Sequence, residues 1–361
     1  MSTGSGAGIP RSLGLRAGEL VEVRSREEIL STLDADGRLD AQPFMPEMLE
    51  HCGRQFRVRA SAHKTCDTVD HSGARRMEDT VHLEDLRCSG QHHGGCQAEC
   101  LLFWKEAWLK RASDAGSGRT AGATVSGGAG CSEERLFQAT SHVDHEGETC
   151  YSCQATQLVE ASFPVDPRDP RPYWRDLRSG NVSAGELANA LFFRFVSNTI
   201  QHIGYRLLIG LYNQVQKLWG GVPYPVIRGR VKGRTPKEVL GLQPGERVRV
   251  KSLAEIEKTI DARQKNRGMR FDWEMVNYCG QEMVVHSSVD QIINEKTGRM
   301  MQFSNPCIIL EGGVCPSRFS DRGRIACPRA IYSYFRENWL ERIDEPGSGP
   351  VTASGREDGP S

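Results

Sequence analysis

The chain has 361 residues, and its 46 basic and 46 acidic side chains give a formal net charge of zero. This balance argues against a protein that binds nucleic acid or an anionic membrane surface. The N-terminal stretch has no apolar core of signal-peptide length, and no run of about 18 apolar residues predicts a membrane-spanning helix. The composition predicts a cytoplasmic protein, in which twelve cysteines are typical of metal ligands, redox groups or buried thiols.

The chain contains one sequence twice. Residues 18–53 align without a gap to residues 245–280 at an offset of 227, with 15 of 36 positions identical. Further along, CQAECLLFWKEAWLKR (96–111) aligns to CPRAIYSYFRENWLER (327–342). A repeat of about 100 residues has the size of a domain, so two tandem domains are predicted rather than a solenoid.

In chain order, composition divides the protein into seven segments. They are a disordered tail (1–17), a Cys/His-rich repeat 1 (18–112), a flexible linker (113–133), an extended segment with a long amphipathic helix (134–221), a basic connector (222–244), a Cys-rich repeat 2 (245–343) and a disordered tail (344–361). A capping-box pattern at Ser183 and Glu186 starts the long helix. This helix is predicted to bridge the repeats or to form a homodimer contact, and a peripheral membrane helix is the alternative.

Each repeat begins with a glycine turn and a strand in which valine alternates with charged residues. A short helix and further strands follow, and each repeat ends with an aromatic segment that contains Trp108 or Trp339. These signals predict an α+β fold with two tandem small SH3-like β-barrels. Each barrel is expected to be closed by an aromatic helix, and a helical middle segment joins the two.

The cysteines of repeat 2 are the most regular set of potential ligands. Three positions carry Cys in both repeats, namely Cys52 with Cys279, Cys88 with Cys315, and Cys96 with Cys327. Repeat 2 adds a fourth, and four thiolates match a closed tetrahedral zinc site. A structural four-cysteine centre is therefore predicted from Cys279, Cys307, Cys315 and Cys327. An iron–sulfur cluster uses the same ligands, and four buried free thiols are the alternative without metal.

Repeat 1 adds potential ligands that repeat 2 lacks, namely His63, Cys66, His82, His92, His93 and Cys100. Cys96 and Cys100 are predicted to lie on one face at the start of a helix, where the helix dipole stabilises thiolates. Mixed Cys/His sites suit zinc, iron or copper, and an incomplete protein shell leaves a position for water or substrate. A catalytic metal site is therefore predicted in repeat 1, built from Cys88, Cys96 and Cys100 with His63, Cys66 or His82. The alternative is that the metal site of each repeat has only a structural role.

Two further features stay open. His142, His145, Cys150 and Cys153 have ligand-like spacing, and they either form an independent site or lend Cys153 to repeat 1. Glu84 shares a repeat position with Glu311 beside a shared cysteine, which makes Glu84 a candidate catalytic proton carrier. More commonly, such a carboxylate has a structural role, as the partner of a backbone group or of an arginine side chain.

Two long segments resemble a bacterial family of two-repeat, cysteine-rich, SH3-like proteins. They are RRMEDTVHLEDLRCSGQHHGGCQAECLLFWKEAWLKR and CIILEGGVCPSRFSDRGRIACPRAIYSYFRENWLERI, and the resemblance extends to YWRDLRSGNVS (173–183). The resemblance implies that the gene lies beside biosynthetic genes. It implies no particular reaction and identifies no catalytic residue.

Two functions from different classes are therefore predicted. The first is a metalloenzyme or metal-dependent accessory enzyme of bacterial biosynthesis that acts on a small-molecule substrate. Its metal is expected to be zinc, with iron (mononuclear or iron–sulfur) or copper as alternatives. The second is a non-catalytic scaffold that recruits a protein partner. It would consist of two barrels, each stabilised by structural zinc.

Overall fold

The computed structural model describes residues 9–112, 130–203, 205–320 and 324–343. Most of the predicted linker and the whole predicted C-terminal tail therefore lie outside the described residues. The described part is a mixed α/β structure with two curled β-sheets, one in each repeat.

Repeat 1, all of which is described, is built mainly from short strands. Its elements are β1 (Leu20–Val23), α1 (Arg26–Thr32), β2 (Arg38–Leu39), β3 (Gln42–Pro43), β4 (Gln55–Ser61), β5 (Lys64–Cys66), β6 (Ala74–Arg76), β7 (Thr80–Arg87), β8 (Leu101–Lys105) and β9 (Leu109–Arg111). Five of them form one sheet in the order β8-β7-β4-β1-β9. Helix α1 begins where Ser25 and Glu28 form a capping box, and it buries Ile29 in the core.

The segment between the repeats contains most of the helical residues. Its elements are α2 (Glu133–Gln138), β10 (Ser141–Val143), β11 (Thr149–Tyr151), β12 (Phe163–Pro164), α3 (Arg171–Ser179), α4 (Ala184–Ile203) and α5 (Tyr205–Trp219). Strand β12 pairs with β6 of repeat 1. Phe193 of α4 and Tyr212 of α5 pack together with Phe319 of repeat 2. The homodimer contact through these helices stays a prediction. None of the described helices is long and apolar enough to cross a membrane.

Repeat 2 has the same framework as repeat 1. Its elements are β13 (Arg247–Val250), α6 (Leu253–Ile256), β14 (Lys265–Asn266), β15 (Met269–Arg270), β16 (Glu282–Ile293), β17 (Met300–Leu310) and β18 (Leu340–Arg342), and its main sheet has the order β17-β16-β13-β18. Leu20 lies opposite Arg57 in repeat 1, and Arg247 lies opposite Val284 in repeat 2. The two copies therefore keep the same strand register as well as the same sequence pattern.

The aromatic segment that closes each repeat is not a helix, contrary to the prediction. In repeat 1 it is β8, a 3-10 turn at Glu106–Trp108 and β9, and in repeat 2 a 3-10 turn at Glu337–Trp339 precedes β18. Every residue of β8 is buried, so the segment has no polar face of the kind that an amphipathic helix needs. A short apolar run that is buried on both sides favours a strand.

A lead-in segment is fixed to each repeat in the same way. Gly14 and Leu15, which composition placed in the N-terminal tail, donate their backbone N–H groups to the Glu106 carboxylate (2.7 and 3.1 Å). The equivalent Glu337 accepts hydrogen bonds from the N–H groups of Leu240 and Leu242 (2.8 and 3.0 Å). A glutamate at the equivalent position of each repeat therefore orders the chain just before the first strand.

The two copies differ most in the hairpin formed by β16 and β17. These strands have 12 and 11 residues, whereas their counterparts β4 and β7 have 7 and 8. The extra length carries the hairpin beyond repeat 2, where the Tyr151 N–H donates to the Gly298 carbonyl oxygen (2.8 Å). On the same side, the Gln97 N–H donates to the Gln291 carbonyl oxygen (3.1 Å). The β16–β17 hairpin therefore lies against the cysteine-rich loop of repeat 1.

Candidate metal centre

The cysteine-rich loop of repeat 1 (88–100) connects β7 to β8 without an α-helix. The Cys88 N–H donates to the Cys100 carbonyl oxygen (2.8 Å), which closes the base of the loop. The predicted helix start at Cys96–Cys100 does not form, because Glu99 has a φ of 46°, outside the range of a right-handed helix. No helix dipole therefore acts on these two thiols, and this part of the prediction is wrong.

Gly90 shapes this loop through a close backbone approach. Its φ is +69°, and a Cβ atom there would lie 1.9 Å from the Cys96 carbonyl oxygen. Gly53 has a similar φ of +74°, but a Cβ atom there would meet nothing within 4 Å. Of these two glycines, Gly90 alone combines a left-handed conformation with a steric need for glycine.

We expect Gly90→Ala to lower the free energy of unfolding by more than Gly53→Ala. Both variants incur the left-handed cost of about 1 kcal/mol. Gly90→Ala must also move the backbone of the loop, which adds roughly 1–3 kcal/mol. Urea unfolding of the two variants measures the difference, and equal losses would show that the close approach at Gly90 is relaxed cheaply.

Three potential metal ligands meet at the base of this loop. Ligand atoms of Glu47, Cys88 and His93 all lie within 4.8 Å of one another. The Cys88 thiol donates to Oε1 of Glu47 (3.1 Å), and Nδ1 of His93 lies 3.8 Å from the same oxygen. The Glu47 and His93 side chains are only 3% and 1% exposed. Among the described residues, no other group of three His, Cys, Asp or Glu side chains meets this distance condition.

The hydrogen bonding of His93 leaves one ring nitrogen free. Nε2 lies 3.2 Å from the Ser152 carbonyl oxygen, which can only accept, so Nε2 carries the proton. Nδ1 then holds a lone pair, and this buried atom has no hydrogen-bond partner. Burial lowers the pKa of His93, which keeps the ring neutral. A histidine that binds a metal commonly donates its second ring N–H to a carbonyl in this way.

Glu47 also has a free ligand atom, whereas its repeat counterpart Glu274 does not. Oε2 of Glu47 is buried without a hydrogen-bond partner. The Glu274 carboxylate accepts three hydrogen bonds from the loop that follows β17. The donors are the N–H groups of Arg318 (2.9 Å) and Phe319 (2.8 Å) and the hydroxyl of Ser320 (2.9 Å). Repeat 2 therefore satisfies its buried carboxylate with protein donors, and repeat 1 leaves it available.

A cavity beside this cluster brings further thiols together. Cys88 and His93 line it with three more thiols, those of Cys96, Cys100 and Cys153. Burial raises the pKa of all four thiols, that of Cys100 to about 12 and that of Cys153 to about 11. The thiols are therefore neutral at physiological pH, and binding of a metal would release their protons.

The cavity is closed by residues of both repeats. Met45 and Leu102 of repeat 1 line it, and so do Ile293 and Glu295 of the β16–β17 hairpin. The Ile293 N–H points at Sγ of Cys96 (3.4 Å). The hairpin of repeat 2 therefore contributes directly to the site in repeat 1.

The ligand-like segment after the linker is divided by the structure. His142 and His145 are exposed on the β10–β11 hairpin, and the Cys150 thiol donates to Asp144 (3.5 Å). Only Cys153 reaches the cavity of repeat 1. Of the two open alternatives, the geometry agrees with Cys153 as a thiol lent to repeat 1.

Other predicted site residues of repeat 1 do not line this cavity. Nε2 of His63 lies 3.1 Å from the Pro172 carbonyl oxygen. Nδ1 of His82 lies 2.9 Å from a backbone carbonyl oxygen within the sheet. Glu84 is exposed on β7, and Cys52 ends a 3-10 helix and packs against the core. Glu47, rather than Glu84, supplies the carboxylate beside Cys88.

The predicted four-cysteine set of repeat 2 is spread over three places. Cys279 packs against the core of repeat 2, and Cys307 is buried beside the Arg336 guanidinium. Cys315 and Cys327 lie elsewhere, on the loop that follows β17. Within the described part of the chain, no three of these four sulfur atoms lie within 4.8 Å of one another.

Cys66 of repeat 1 lies beside Cys327 instead. The Cys327 thiol and the Arg329 guanidinium lower the pKa of the Cys66 thiol to about 6. Burial raises the pKa of Cys315 to about 12, with the Glu274 carboxylate and the Cys66 thiol as further causes. Among the described residues, however, the sulfur atoms of Cys66, Cys315 and Cys327 do not all lie within 4.8 Å of one another.

No known family model matches the chain, and no curated protein matches it. The fold and the site define a cysteine-rich protein of two β-sheet repeats, with a Glu/Cys/His cluster that could bind a metal ion. The resemblance to a bacterial two-repeat family stays a prediction.

Proposed function

We propose that the protein binds a metal ion in repeat 1, through the Glu47 carboxylate, the Cys88 thiolate and Nδ1 of His93. Their ligand atoms lie within 4.8 Å of one another, and two buried atoms of the group lack a hydrogen-bond partner. A buried polar atom without a partner is costly, and coordination to a cation would remove that cost. This pair of unsatisfied atoms in one cluster is the observation that carries the proposal.

The set of three ligands favours a catalytic type of centre. Structural zinc sites use four protein ligands, whereas catalytic sites use three and leave one position for water or substrate. The neighbouring cavity, of about 30 Å³, has room for a water molecule beside these ligands. The chemistry that zinc supplies in such a site is polarisation of a carbonyl or activation of water. A metalloenzyme or metal-dependent accessory enzyme with a small-molecule substrate is therefore the function that we propose.

A second candidate follows from the thiols around the cavity. Cys88, Cys96, Cys100 and Cys153 all line it, yet no three of them lie within 4.8 Å of one another. A single tetrahedral zinc ion needs sulfur atoms about 3.8 Å apart, as follows from Zn–S bonds of about 2.3 Å. Wider spacing around one apolar cavity favours a polynuclear iron–sulfur cluster over one zinc ion for this four-thiol set.

The wider predictions enter here as proposals. We propose that 18–112 and 245–343 are separate SH3-like barrel domains, which the shared strand register supports. A non-catalytic scaffold is the alternative to the enzyme, and the way in which the β16–β17 hairpin covers the site supports it. We also propose that the protein is cytoplasmic and belongs to bacterial biosynthesis, which is compatible with either function.

The test is metal content by plasma mass spectrometry, with the absorption spectrum, on protein purified without oxygen. We expect at least one metal ion per chain, and we expect Cys88→Ser and Glu47→Gln each to lose the ion of repeat 1. Cys52→Ser is the matched control, because it removes a thiol of the same repeat that does not line the cavity. Zinc without colour supports the three-ligand centre, and iron with visible absorption supports the cluster. Full metal content in Cys88→Ser would contradict both.

A further inference from the structure

A cavity of about 230 Å³ lies between the α4–α5 helices and the loop that follows β17. Four aromatic side chains line it, namely Phe193 of α4, Tyr212 and Trp219 of α5, and Phe319 of repeat 2. The Phe193 ring meets those of Phe319 and Tyr212 edge to face, with centroids 4.8 and 6.0 Å apart. Trp219 differs from these three buried residues, because it is 65% exposed. An aromatic wall with one exposed indole suits a planar ligand.

Two amide side chains supply polar groups to the same cavity. They are Asn189 of α4 and Gln216 of α5, and Nε2 of Gln216 donates to Oδ1 of Asn189 (2.7 Å). Gln216 is 1% exposed, and its Oε1 is buried without a hydrogen-bond partner. Two amides joined by one such bond leave one acceptor, on Gln216, and one amide donor, on Asn189. A ligand with an adjacent N–H and carbonyl would satisfy both, and it would remove the cost of the unpartnered oxygen.

Gly221 keeps space open beside this oxygen. The residue follows α5 and lines the cavity. A Cβ atom there would lie 1.7 Å from Oε1 of Gln216. The backbone of Gly221 is not left-handed, so glycine is needed here for the missing side chain rather than for its conformational freedom.

The charged residues of the cavity favour an anion. Glu186 and Arg318 are the two charged residues that line it within the described part of the chain. The Glu186 carboxylate caps α4, since it accepts hydrogen bonds from the Ser183 N–H (2.9 Å) and hydroxyl (2.8 Å). The Arg318 guanidinium is therefore the charged group that can meet a ligand, and its planar fork matches a carboxylate.

We propose that this cavity binds a small planar heteroaromatic acid, recognised by the Gln216–Asn189 amide pair, the aromatic wall and Arg318. The ring would lie against the aromatic side chains, its amide-like edge would pair with Gln216 and Asn189, and its carboxylate would pair with Arg318. The volume is below the range of roughly 300–1,000 Å³ typical of pockets for drug-sized ligands, so it favours a compound of one or two rings. The site shares no residue with the centre at Glu47.

The first experiment is isothermal titration calorimetry of the full-length protein with three probes. Orotate has a planar ring, an amide edge and a carboxylate, whereas uracil lacks the carboxylate and benzoate lacks the amide edge. We expect orotate to bind about tenfold more tightly than either, because each of the other probes leaves one set of polar groups unpaired. Equal affinity for the three probes, or no binding of orotate, would overturn the proposal.

The second experiment repeats the titration with Gly221→Ala. The added methyl group meets the far end of a flexible side chain, so we expect the fold to survive and the Gln216 amide to turn away. Orotate should then bind about tenfold more weakly and lose its preference over benzoate. Gly210→Ala is the matched control, because a Cβ atom there meets nothing within 4 Å. Unchanged orotate affinity in Gly221→Ala would overturn the proposal.

Two further variants separate the parts of the site and the two proposals. Arg318→Gln should weaken the binding of orotate and benzoate and leave that of uracil unchanged, and an unchanged affinity for orotate would overturn the pairing with Arg318. Cys88→Ser should lose the metal ion of repeat 1 and bind orotate like the unmodified protein. Failure of the metal centre and failure of this site can therefore be recognised separately.

Discussion

Asp176→Ala is expected to lower the free energy of unfolding by about 3–5 kcal/mol, because it leaves a buried lysine without its counter-ion. Asp176, on α3, forms an ion pair with Lys64 of β5, and the two side chains are 0% and 1% exposed. Nε2 of His63 lies 3.2 Å from the same carboxylate. The cluster fixes α3 to repeat 1, so its loss should weaken that contact as well.

The measurement is urea unfolding of Asp176→Ala beside two comparison variants. Lys296→Ala removes an exposed ion pair with Asp70, and we expect no measurable change in its unfolding midpoint. The double variant Lys64→Met/Asp176→Leu replaces both charges with apolar groups and should recover much of the lost stability. A loss of less than about 1 kcal/mol in Asp176→Ala would mean that water reaches Lys64.

His82→Ile is expected to make the protein more resistant to acid. His82 is 0% exposed, and burial lowers its pKa to about 3. In the unfolded chain a histidine has a pKa of about 6.5, so between these values the unfolded state binds a proton that the folded state does not. Stability is therefore lost as the pH falls below about 6.5, by up to about 1.4 kcal/mol per pH unit. Repeat 2 has the fully buried Ile309 at the equivalent position, so isoleucine fits this framework.

Chemical denaturation across the range from about pH 4 to pH 7 measures this effect. The variant also loses the hydrogen bond from Nδ1 to the Leu102 carbonyl (2.9 Å). This loss lowers the free energy of unfolding by about 1 kcal/mol at every pH, so it does not change the slope of that free energy against pH. We expect a flatter profile in His82→Ile, and no change of slope in His142→Gln, whose side chain is exposed. Parallel profiles for His82→Ile and the unmodified protein would contradict the assignment.

The repeat made much of the framework predictable. The first strand and the short helix of each copy follow from local signals, since Ser25 and Ser252 both form capping boxes. The aromatic segments were predicted as helices because periodicity alone cannot separate a buried strand from a buried helix. Burial of β8 on both sides depends on Cys153 and its neighbours, which are distant in sequence. Local patterns do not contain that information.

The site was predictable only in part, for a similar reason. Cys88, Cys96 and Cys100 were predicted from the sequence, and Cys153 was one of two open alternatives; all four line one cavity. Glu47 was missed because both copies have a glutamate at that position, which indicates framework rather than function. His93 was one of two adjacent histidines in the loop, and nothing in the spacing distinguished it from His92. What separates Glu47 from Glu274 is the set of donors around each carboxylate, which only the folded chain reveals.

The β16–β17 hairpin has a consequence for the order in which the protein can be assembled. On the ribosome, repeat 1 emerges with Glu47, Cys88 and His93 well before Ile293 and Glu295 are synthesised. The nascent site is therefore open on the side that the hairpin later covers. A metal ion would have free access during synthesis, and its exchange in the finished chain would depend on how often the hairpin lifts from the loop.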